Sequence, residues 1–324
     1  MTNLKAKRIL FVGPVFHDYH LLIIKELTQL GAYVDFIPER NYSLWNKFLN
    51  MLLRPDSKVQ RKKHYLNYWH RLINNHYDYL YVVRGNMLPT EFLDSFSQRN
   101  PSAIRIMYQW DSERMNPFTH LLNFFDVTYS FDFKDCSDNK RISYLPLFYT
   151  QDIKEEIVSD IDYDLFFMGW YLPERYSALI KMKRKLKGSC LRMKNFIYLP
   201  FTSFIKELLH GNFSWDYDVI SFHSMSRKDY IYYLNRTRAV VDVSNKLQTG
   251  LAIRIMEAFS LKKKIITNNS YIKNVPNIPE GQVLIFDDET DMSVIIDFLN
   301  KKVDNYYHPL SITDWLITQF EQKQ

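Results

Sequence analysis

The stretch that decides the fold is SNKLQTGLAIRIMEAFSLKKKIITNN, residues 244–269. Its pattern predicts a loop, a helix that begins at Gly250 and a short strand that begins near Lys264. Nearly every position from Leu251 to Leu261 is apolar, so most of the helix surface must be buried. The segment is therefore expected to form a helix and a strand inside a packed core.

Two charged residues interrupt this apolar helix. Arg254 and Glu257 are three residues apart and share one helical face, with Gly250 a turn behind them. A charged stripe on a buried helix is costly unless it faces a ligand or a paired charge. Backbone amides at Gly250 and Leu251 are of the kind that hold phosphate. A nucleotide-sugar suits this pattern, and an Arg–Glu pair that satisfies only itself is the open alternative.

The run QTGLAIRIMEAFSLKKKIITNN, residues 248–269, resembles the C-terminal signature of GT-B glycosyltransferases. The resemblance is to the group 1 branch found in bacterial capsule, O-antigen and lipopolysaccharide gene clusters. It implies that Glu257 contacts the ribose or the sugar of a nucleotide-sugar donor. Many relatives carry a second Glu eight positions upstream, where this chain has Thr249. The role of that first Glu is therefore not carried over, although Thr249 stays among the donor-side candidates. Outside this run the resemblance is one of general layout.

Length and charge limit the classes of protein to consider. The chain has 324 residues and a net charge of +6, and its length suits two domains. Basic residues concentrate at 54–63, 181–194 and 262–264, and such runs attract phosphates. No nucleic-acid-binding motif accompanies them, so we expect no nucleic-acid partner. A solvated helix face is the default interpretation of each run. Among functional interpretations we favour contact with the inner-membrane surface, because acceptors in the resembled family are often lipid-linked.

Sequence features that mark membrane insertion or secretion are missing from the pattern. No segment approaches the roughly 20 apolar residues of a membrane span, and the first residues show no secretory signal. Cys136 and Cys190 are the two cysteines, far apart and without metal-ligand spacing. They suit a reducing compartment, so we expect a cytoplasmic protein.

The placement of glycines outlines the sheets. Gly13, Gly85 and Gly169 each end a short apolar run that is typical of a buried parallel strand. Glycine at that place lets the next loop approach a ligand closely. Gly31 follows an amphipathic run in the manner of a helix C-cap. Neither a dinucleotide-binding glycine motif nor a P-loop is present, which argues against a dehydrogenase or a P-loop enzyme.

Alternating strands and helices predict an α/β protein of two doubly wound Rossmann-like domains facing a central cleft, the GT-B layout. The strands predicted in the first half are 7–12, 33–37, 79–83, 104–109, 126–131 and 142–145. The predicted parts are an acceptor domain at 1–150 with a helical insertion at about 41–76, a nucleotide-sugar domain at 151–305 and a C-terminal helix within 306–324. Trp315 and Phe320 are expected to carry this helix back to the first domain.

Several donor-side candidates lie in the second half. Arg175 follows the strand that ends at Gly169 and can contact a diphosphate, or it belongs to a surface helix opened by Pro173. A second set resembles the base-recognition region of the family, and its members are Ser224, Met225 and Ser226. Ser226 is equally suited to be a helix N-cap.

Acceptor-side candidates lie at strand ends of the first half. They are Asp111, Asp18 and His17, with Asp111 first because it follows a buried strand in a tract, YQWDS, that resembles the family. If the anomeric centre is inverted, one of them must deprotonate the acceptor hydroxyl. Asp111 is alternatively an N-cap, and His17 and Asp18 alternatively begin the first helix.

No metal or other cofactor is expected. The D-x-D pairs, Asp162/Asp164 and Asp216/Asp218, are not placed at the end of a strand and are interpreted as incidental. The sequence thus predicts a metal-independent glycosyltransferase that takes a UDP-, GDP- or CMP-sugar and a bacterial surface glycan or lipid-linked acceptor. A nucleotide-sugar 2-epimerase of the same fold and a catalytically silent sugar-binding or scaffold protein remain alternatives.

Overall fold

The computed structural model describes residues 4–16, 18–40, 58–156, 160–209, 211 and 215–321. The chain divides into two compact units. Unit 1 comprises Met1–Leu147 and Ser311–Gln324, and unit 2 comprises Phe148–Leu310. Each unit contains a six-stranded sheet in which neighbouring strands run parallel. The α/β fold class predicted from the sequence is confirmed.

The described strands and helices alternate along the chain. The strands are β1 (Arg8–Gly13), β2 (Tyr33–Pro38), β3 (Tyr79–Val83), β4 (Ile104–Gln109), β5 (Val127–Ser130), β6 (Ile142–Tyr144), β7 (Tyr163–Trp170), β8 (Met193–Tyr198), β9 (Ile220–Ser221), β10 (Thr237–Asp242), β11 (Lys264–Thr267) and β12 (Val283–Ile285). The helices are α1 (Tyr19–Gln29), α2 (Lys58–Leu72), α3 (Thr90–Arg99), α4 (Phe133–Asp138), α5 (Pro173–Leu186), α6 (Phe201–Leu209), α7 (Arg227–Asn235), α8 (Ile253–Ser260), α9 (Met292–Asn300) and α10 (Ile312–Phe320).

Strand order places a switch point in each sheet. The order is β2-β1-β3-β4-β5-β6 in unit 1 and β12-β11-β10-β7-β8-β9 in unit 2. In unit 1 the chain changes direction across the sheet between β1 and β3, and in unit 2 between β7 and β10. In doubly wound sheets, ligands bind beyond the carboxyl ends of the strands at this point.

The core of unit 1 follows the two-residue period of its strands. Leu80 and Val82 of β3 pack on one face, in the cluster that contains Trp69 of α2 and Phe96 of α3. Tyr81 points to the other face, where its ring lies 5.5 Å from that of Phe11. Both faces are therefore covered, as buried parallel sheets require.

The C-terminal helix α10 covers the Tyr81 face of this sheet. Trp315 is fully buried, and its ring centroid lies 4.6 Å from that of Tyr108. Phe320 lies 5.2 Å from Tyr81 by the same measure. Ser311 caps the helix by accepting a hydrogen bond from the Asp314 amide. The predicted return of this helix to the first sheet is confirmed.

Unit 2 follows the same period. Phe167 of β7 and Val241 of β10 face the cluster formed with α5 and α9. Phe166 points to the opposite face, where its ring lies 6.1 Å from that of Tyr230 on α7. Helix α8 buries Ile255 and Phe259, which satisfies the apolar run noted in the sequence.

Some predicted boundaries are wrong. The helix expected at Gly250 begins at Ile253, because Ala252 has the extended backbone of an N-cap, with φ −64° and ψ 150°. Gly250 and Leu251 therefore lie in the loop before the cap. Within the predicted insertion at 41–76, residues 58–72 form α2, and residues 41–57 lie outside the described part of the chain. Among the described residues, no helix has the length and apolar character needed to cross a bilayer.

Truncating Trp315 tests how far unit 1 depends on α10. Trp315→Ala removes a fully buried ring against Tyr108 and should lower the free energy of unfolding by about 3–5 kcal/mol. Urea unfolding followed by far-UV circular dichroism measures this loss. Tyr33→Ala is the control, because the Tyr33 side chain is exposed in the same unit. Equal losses in the two variants would contradict the packing described.

Candidate functional site

Two arginines meet a glycine at the switch point of unit 2. A Cβ built on Gly169, near the end of β7, would lie 3.2 Å from Nη2 of Arg254 and 3.4 Å from Nη1 of Arg175. Arg175 donates from Nε to the Val243 carbonyl over 3.0 Å and from Nη1 to the Trp170 carbonyl over 2.6 Å. The absence of a side chain at Gly169 thus makes room for both guanidinium groups.

A buried carboxylate faces these arginines. Asp242, the last residue of β10, is ion-paired through Oδ1 with Nη1 of Arg254 and accepts a 3.0 Å hydrogen bond from Thr267. Burial, and next the nearby Arg254 charge, lower the pKa of Arg175 to about 9, against the opposing influence of Asp242. Arg254 pairs with this carboxylate and Arg175 donates to backbone carbonyls, so the cluster contains two cations for one carboxylate and has an excess of positive charge. Arginine forks match phosphate geometry well.

The loop between β10 and α8 is held by two asparagines. Asn269 donates from Nδ2 to the carbonyls of Thr249 at 3.0 Å and Gly250 at 3.3 Å. Asn268 accepts from the amide and hydroxyl of Ser244. The Asn269 side chain, just after β11, therefore fixes the backbone at Thr249 and Gly250, and Leu251 follows in the same loop. These positions are not the first turn of a helix, contrary to the sequence prediction.

Glu257 belongs to a second network. Its side chain is 2% exposed, and Oε1 lies 2.8 Å from Nη1 of Arg227. Oε2 accepts a 2.7 Å hydrogen bond from the Tyr230 hydroxyl. Burial raises the pKa of Glu257, and Arg227 and Tyr230 oppose that rise. Arg254 and Glu257 thus have different partners, and the alternative of a pair that satisfies only itself is wrong.

The three residues assigned to base recognition lie in the loop between β9 and α7. Ser224 and Ser226 are exposed and Met225 is half-buried. Ser226 is the N-cap of α7, since its hydroxyl accepts from the Asp229 amide. The alternative of an N-cap is therefore realised for Ser226. Pro173 begins α5 as that alternative expected, but Arg175 is buried and does not lie on a surface helix face.

In unit 1 a charge network lies along the carboxyl ends of β2, β3 and β4. Arg84 contacts both carboxylate oxygens of the fully buried Glu39. Its Nη1 lies 3.4 Å from Oδ2 of Asp111, which also accepts from Asn116 at 2.7 Å. Asp111 is thus part of an ion-paired cluster, and its own side chain is 19% exposed. Burial lowers the pKa of Arg84, and Asp111 opposes that effect.

Backbone strain and aromatic rings accompany this network. Arg84 has φ +74°, a left-handed conformation that non-glycine residues seldom adopt. Trp110 precedes Asp111 and lies 6.5 Å, between ring centroids, from Phe16 and from Tyr19. Asp18 is the N-cap residue of α1, and His17 lies outside the described residues. An ion-paired carboxylate beside partly exposed aromatic rings is a suitable surface for a sugar ring.

Sequence reasoning missed several of these residues. Asp242, Asn269, Arg227, Tyr230 and Glu39 were not among the candidates. Asp242 carries the signal that singled out Asp111, a carboxylate at the end of a buried strand. Tyr230 and Arg227 are one helical turn apart, but their partner Glu257 lies on another helix, so no local pattern indicates the contact.

Carboxylates of both D-x-D pairs form ion pairs with basic side chains. Asp216 and Asp218 both contact Lys183, at 2.7 and 3.3 Å. Asp164 pairs with Arg238 at 3.0 Å. Within the part of the chain that the structure describes, no three His, Cys, Asp or Glu side chains are grouped to hold a metal ion.

Arg84 supports the network of unit 1, and its removal should be costly. Arg84→Met leaves Glu39 buried without its cation, so we expect a loss of about 3–5 kcal/mol in the free energy of unfolding. Glu39→Gln in the same chain should recover part of the loss. The comparison is Arg105→Met, whose partner Asp126 is exposed, with an expected loss of at most about 1 kcal/mol. Similar urea midpoints for the two single variants would argue against the buried pair.

Comparison with models of known protein families and with curated proteins finds no match. Comparison with solved structures finds similar chains over almost their full length. One is OtsA in its apo form, with a TM-score of 0.60, 12% identity, 98% of this chain covered and 100% of that chain. Another is AviGT4, a glycosyltransferase involved in avilamycin A biosynthesis, with a TM-score of 0.57, 10% identity and 97% of each chain covered.

A third similar structure is UDP-GlcNAc 2-epimerase from Neisseria meningitidis bound to UDP-GlcNAc. Its TM-score is 0.53 at 10% identity, with 97% of this chain and 99% of that chain covered. Identities this low show the fold alone. The chain therefore has the GT-B fold, two Rossmann-like units each built on a parallel sheet.

Proposed function

We propose that the protein is a glycosyltransferase that takes a nucleotide-sugar, a UDP-, GDP- or CMP-sugar, as donor. The observation that carries this proposal is the pair of guanidinium groups of Arg175 and Arg254 at Gly169, at the switch point of unit 2. A doubly wound sheet binds its ligand there, and the excess positive charge suits a diphosphate. Glu257, on the same helix as Arg254, is the proposed partner of the ribose or sugar.

In the proposed reaction the leaving group is the nucleotide phosphate. Negative charge develops on this phosphate as its bond to the anomeric carbon of the donor sugar breaks. Arg175 and Arg254 are held by carbonyl and carboxylate partners, so they stabilise that charge without reorganising. Because two fixed cations can serve this purpose, we propose that no metal is needed.

The acceptor side is proposed to lie at the carboxyl edge of unit 1. Asp111 would accept the proton of the acceptor hydroxyl, with Asp18 and His17 as the other candidates for this base. Trp110 and Phe16 would contact the sugar face. The proposed acceptor is a bacterial surface glycan or a lipid-linked acceptor, and the proposed location is the cytoplasm, with contact to the inner-membrane surface. These parts of the proposal rest on the sequence, namely on its resemblance to the family, its basic runs and its two cysteines.

A 2-epimerase that acts on the nucleotide-sugar itself is an equally supported candidate. Similar structures include UDP-GlcNAc 2-epimerases as well as glycosyltransferases. The cluster of Arg175 and Arg254 at Gly169 would serve both reactions, because both start from a nucleotide-sugar. What separates them is the need for an acceptor. Donor binding without turnover would instead indicate a silent sugar-binding protein.

The contribution of Arg254 to phosphate binding can be measured as the ratio of two affinities, that of a nucleotide and that of its nucleoside. We expect the nucleotide part of the donor to bind more tightly than its nucleoside, and Arg254→Gln should reduce that affinity ratio by about 10- to 100-fold, the value of charged hydrogen bonds. Calorimetry on the UDP/uridine, GDP/guanosine and CMP/cytidine pairs in EDTA measures it. Taking the ratio removes effects on folding that weaken both ligands.

Arg238→Gln is the matched control. Like Arg254, Arg238 pairs with a carboxylate, here Asp164, but it lies on β10 at the opposite end of that strand from Asp242. Its ratio should equal that of the wild type. An unchanged ratio in Arg254→Gln, or binding that appears only when magnesium is added, would contradict the proposed site.

Product analysis separates the candidate reactions. Incubating the bound nucleotide-sugar alone should leave its sugar unchanged if the protein is a transferase, whereas an epimer formed without acceptor identifies the alternative. With acceptor present, Asp111→Asn should reduce transfer by about 10²- to 10⁴-fold and leave nucleotide affinity unchanged. Asp126→Asn, an exposed carboxylate of the same unit, is the control. Substantial transfer by the Asp111 variant would remove it as the base.

A further inference from the structure

Arg227 holds two carboxylates and a hydroxyl at once. Besides Glu257, it contacts Asp152 through Nε at 2.8 Å and through Nη2 at 3.1 Å. Nη2 also donates to the Thr150 hydroxyl over 2.6 Å. The guanidinium carbon lies 5.3 Å from the centre of the Tyr230 ring. Such a fork with several partners is geometrically fixed in a way that a single surface pair is not.

The partners of Arg227 differ in burial and in place. Glu257 is buried on α8, whereas Asp152 is 41% exposed. Thr150 and Asp152 directly follow Phe148, where unit 2 begins. The Tyr149 amide donates to the Leu310 carbonyl over 3.0 Å, and Leu310 is the residue at which unit 2 ends. Arg227 thus links the buried Glu257 to the segment by which the chain enters unit 2.

Charge explains why Glu257 needs this partner. A carboxylate removed from water is unstable as an ion unless a cation and hydrogen-bond donors compensate it. The titratable groups that face Glu257 are Arg227 and Tyr230 of α7 and Asp152 of the entering segment. Arg227 is the cation among them. Without it, burial and Asp152 would both favour the protonated acid.

A fixed carboxylate can still serve a ligand. A carboxylate has about four acceptor positions, so the bonds to Arg227 and Tyr230 fix the group in place without using all of these positions themselves. Ribose hydroxyls are donors of the kind that such a carboxylate binds. The protonated acid would be a weaker acceptor and would compete as a donor.

We propose that Arg227 is a positioning residue of the nucleotide site, which favours the ionised form of Glu257, holds its carboxylate in place for ribose hydroxyls and links it to the Thr150–Asp152 segment. The ribose part of this inference rests on the proposed function. The charge part does not, because it concerns the protein without ligand. The two parts can therefore be tested separately.

Thermal unfolding at two pH values tests the charge part. Burial already raises the pKa of Glu257 in the wild type, and in Arg227→Met this pKa should rise further, because the opposing charge of Arg227 is removed. A raised carboxylate pKa favours the folded state at low pH, and that advantage is lost as the pH rises through the folded pKa. The Tm of Arg227→Met should therefore fall below that of the wild type by about 5 °C or more at about pH 8, and by less than half as much at about pH 5.

Matched variants identify the group responsible. Adding Glu257→Gln to Arg227→Met should abolish the pH dependence of the Tm difference, and Arg227→Lys should restore part of the stability. Arg236→Met is the control, since Arg236 follows the same helix and pairs with the exposed Glu156. It should give a small difference of equal size at both pH values. A pH-independent deficit in Arg227→Met, or one that survives Glu257→Gln, would overturn the charge part.

Nucleotide affinity tests the ribose part. The probe is the nucleoside diphosphate that binds the wild type most tightly, titrated at about pH 6.5 and about pH 8. Arg227→Met should weaken binding by about tenfold or more at the lower pH and by a smaller factor at the higher pH, because a further rise in the pKa of Glu257 favours the protonated acid more strongly at the lower pH. Glu257→Gln should weaken binding by the same factor at both. If Arg227→Met follows the wild type at both pH values, the ribose part is wrong. If the wild type binds no nucleotide, the proposed function fails instead.

Discussion

Both units depend on one constraint, which is that a parallel sheet must be covered on both faces. Alternate side chains of β3 and β7 are apolar on each side, and helices pack against both. The faces are thus closed to ligands. Polar chemistry is confined to the ends of the strands, where loops can approach a substrate without breaking the core.

The carboxyl ends of the strands carry charges that are paired before any ligand arrives. Unit 2 has the Asp242–Arg254 pair with Arg175 beside it, and unit 1 has Glu39, Arg84 and Asp111. Buried pairs contribute little net stability, because desolvation offsets most of the attraction between the charges. Their value is that they fix geometry. Charged groups that are already oriented need little reorganisation when charge develops in a transition state, so their stabilising effect is larger.

Much of the fold could be predicted because it follows from local patterns. The six strands expected in the first half lie within one or two residues of the observed ones, since short apolar runs ended by glycine mark buried strands. Gly31 has φ +97° and closes α1 as predicted. The start of α8 could not be predicted in this way. Ala252 occupies the N-cap position, but alanine has no side-chain acceptor by which the sequence could indicate a cap. The loop before it is held by Asn269, which follows a later strand.

The site was predictable in part for the same reason. Arg175, Arg254 and Gly169 were singled out from their places after strands and on the helix, and the structure brings them together. Asp242, the partner of Arg254, was missed because its importance arises from a contact between β10 and α8. Arg227 was missed for a similar reason, since it begins α7 and its buried partner Glu257 lies on α8. Pairings between elements are set by topology, which a local pattern does not contain.

The free protein carries a cost at Arg175 that an anion would relieve. Burial and the neighbouring Arg254 disfavour the charged guanidinium, which brings the pKa of Arg175 to about 9. For a base, a folded pKa below the unfolded value means that the charge costs stability at neutral pH, and that this cost fades as the pH rises through about 9. A diphosphate beside the two guanidinium groups would act in the opposite direction from burial and raise that pKa. Under the proposed function, the diphosphate would therefore recover part of the stability that the buried charge of Arg175 costs.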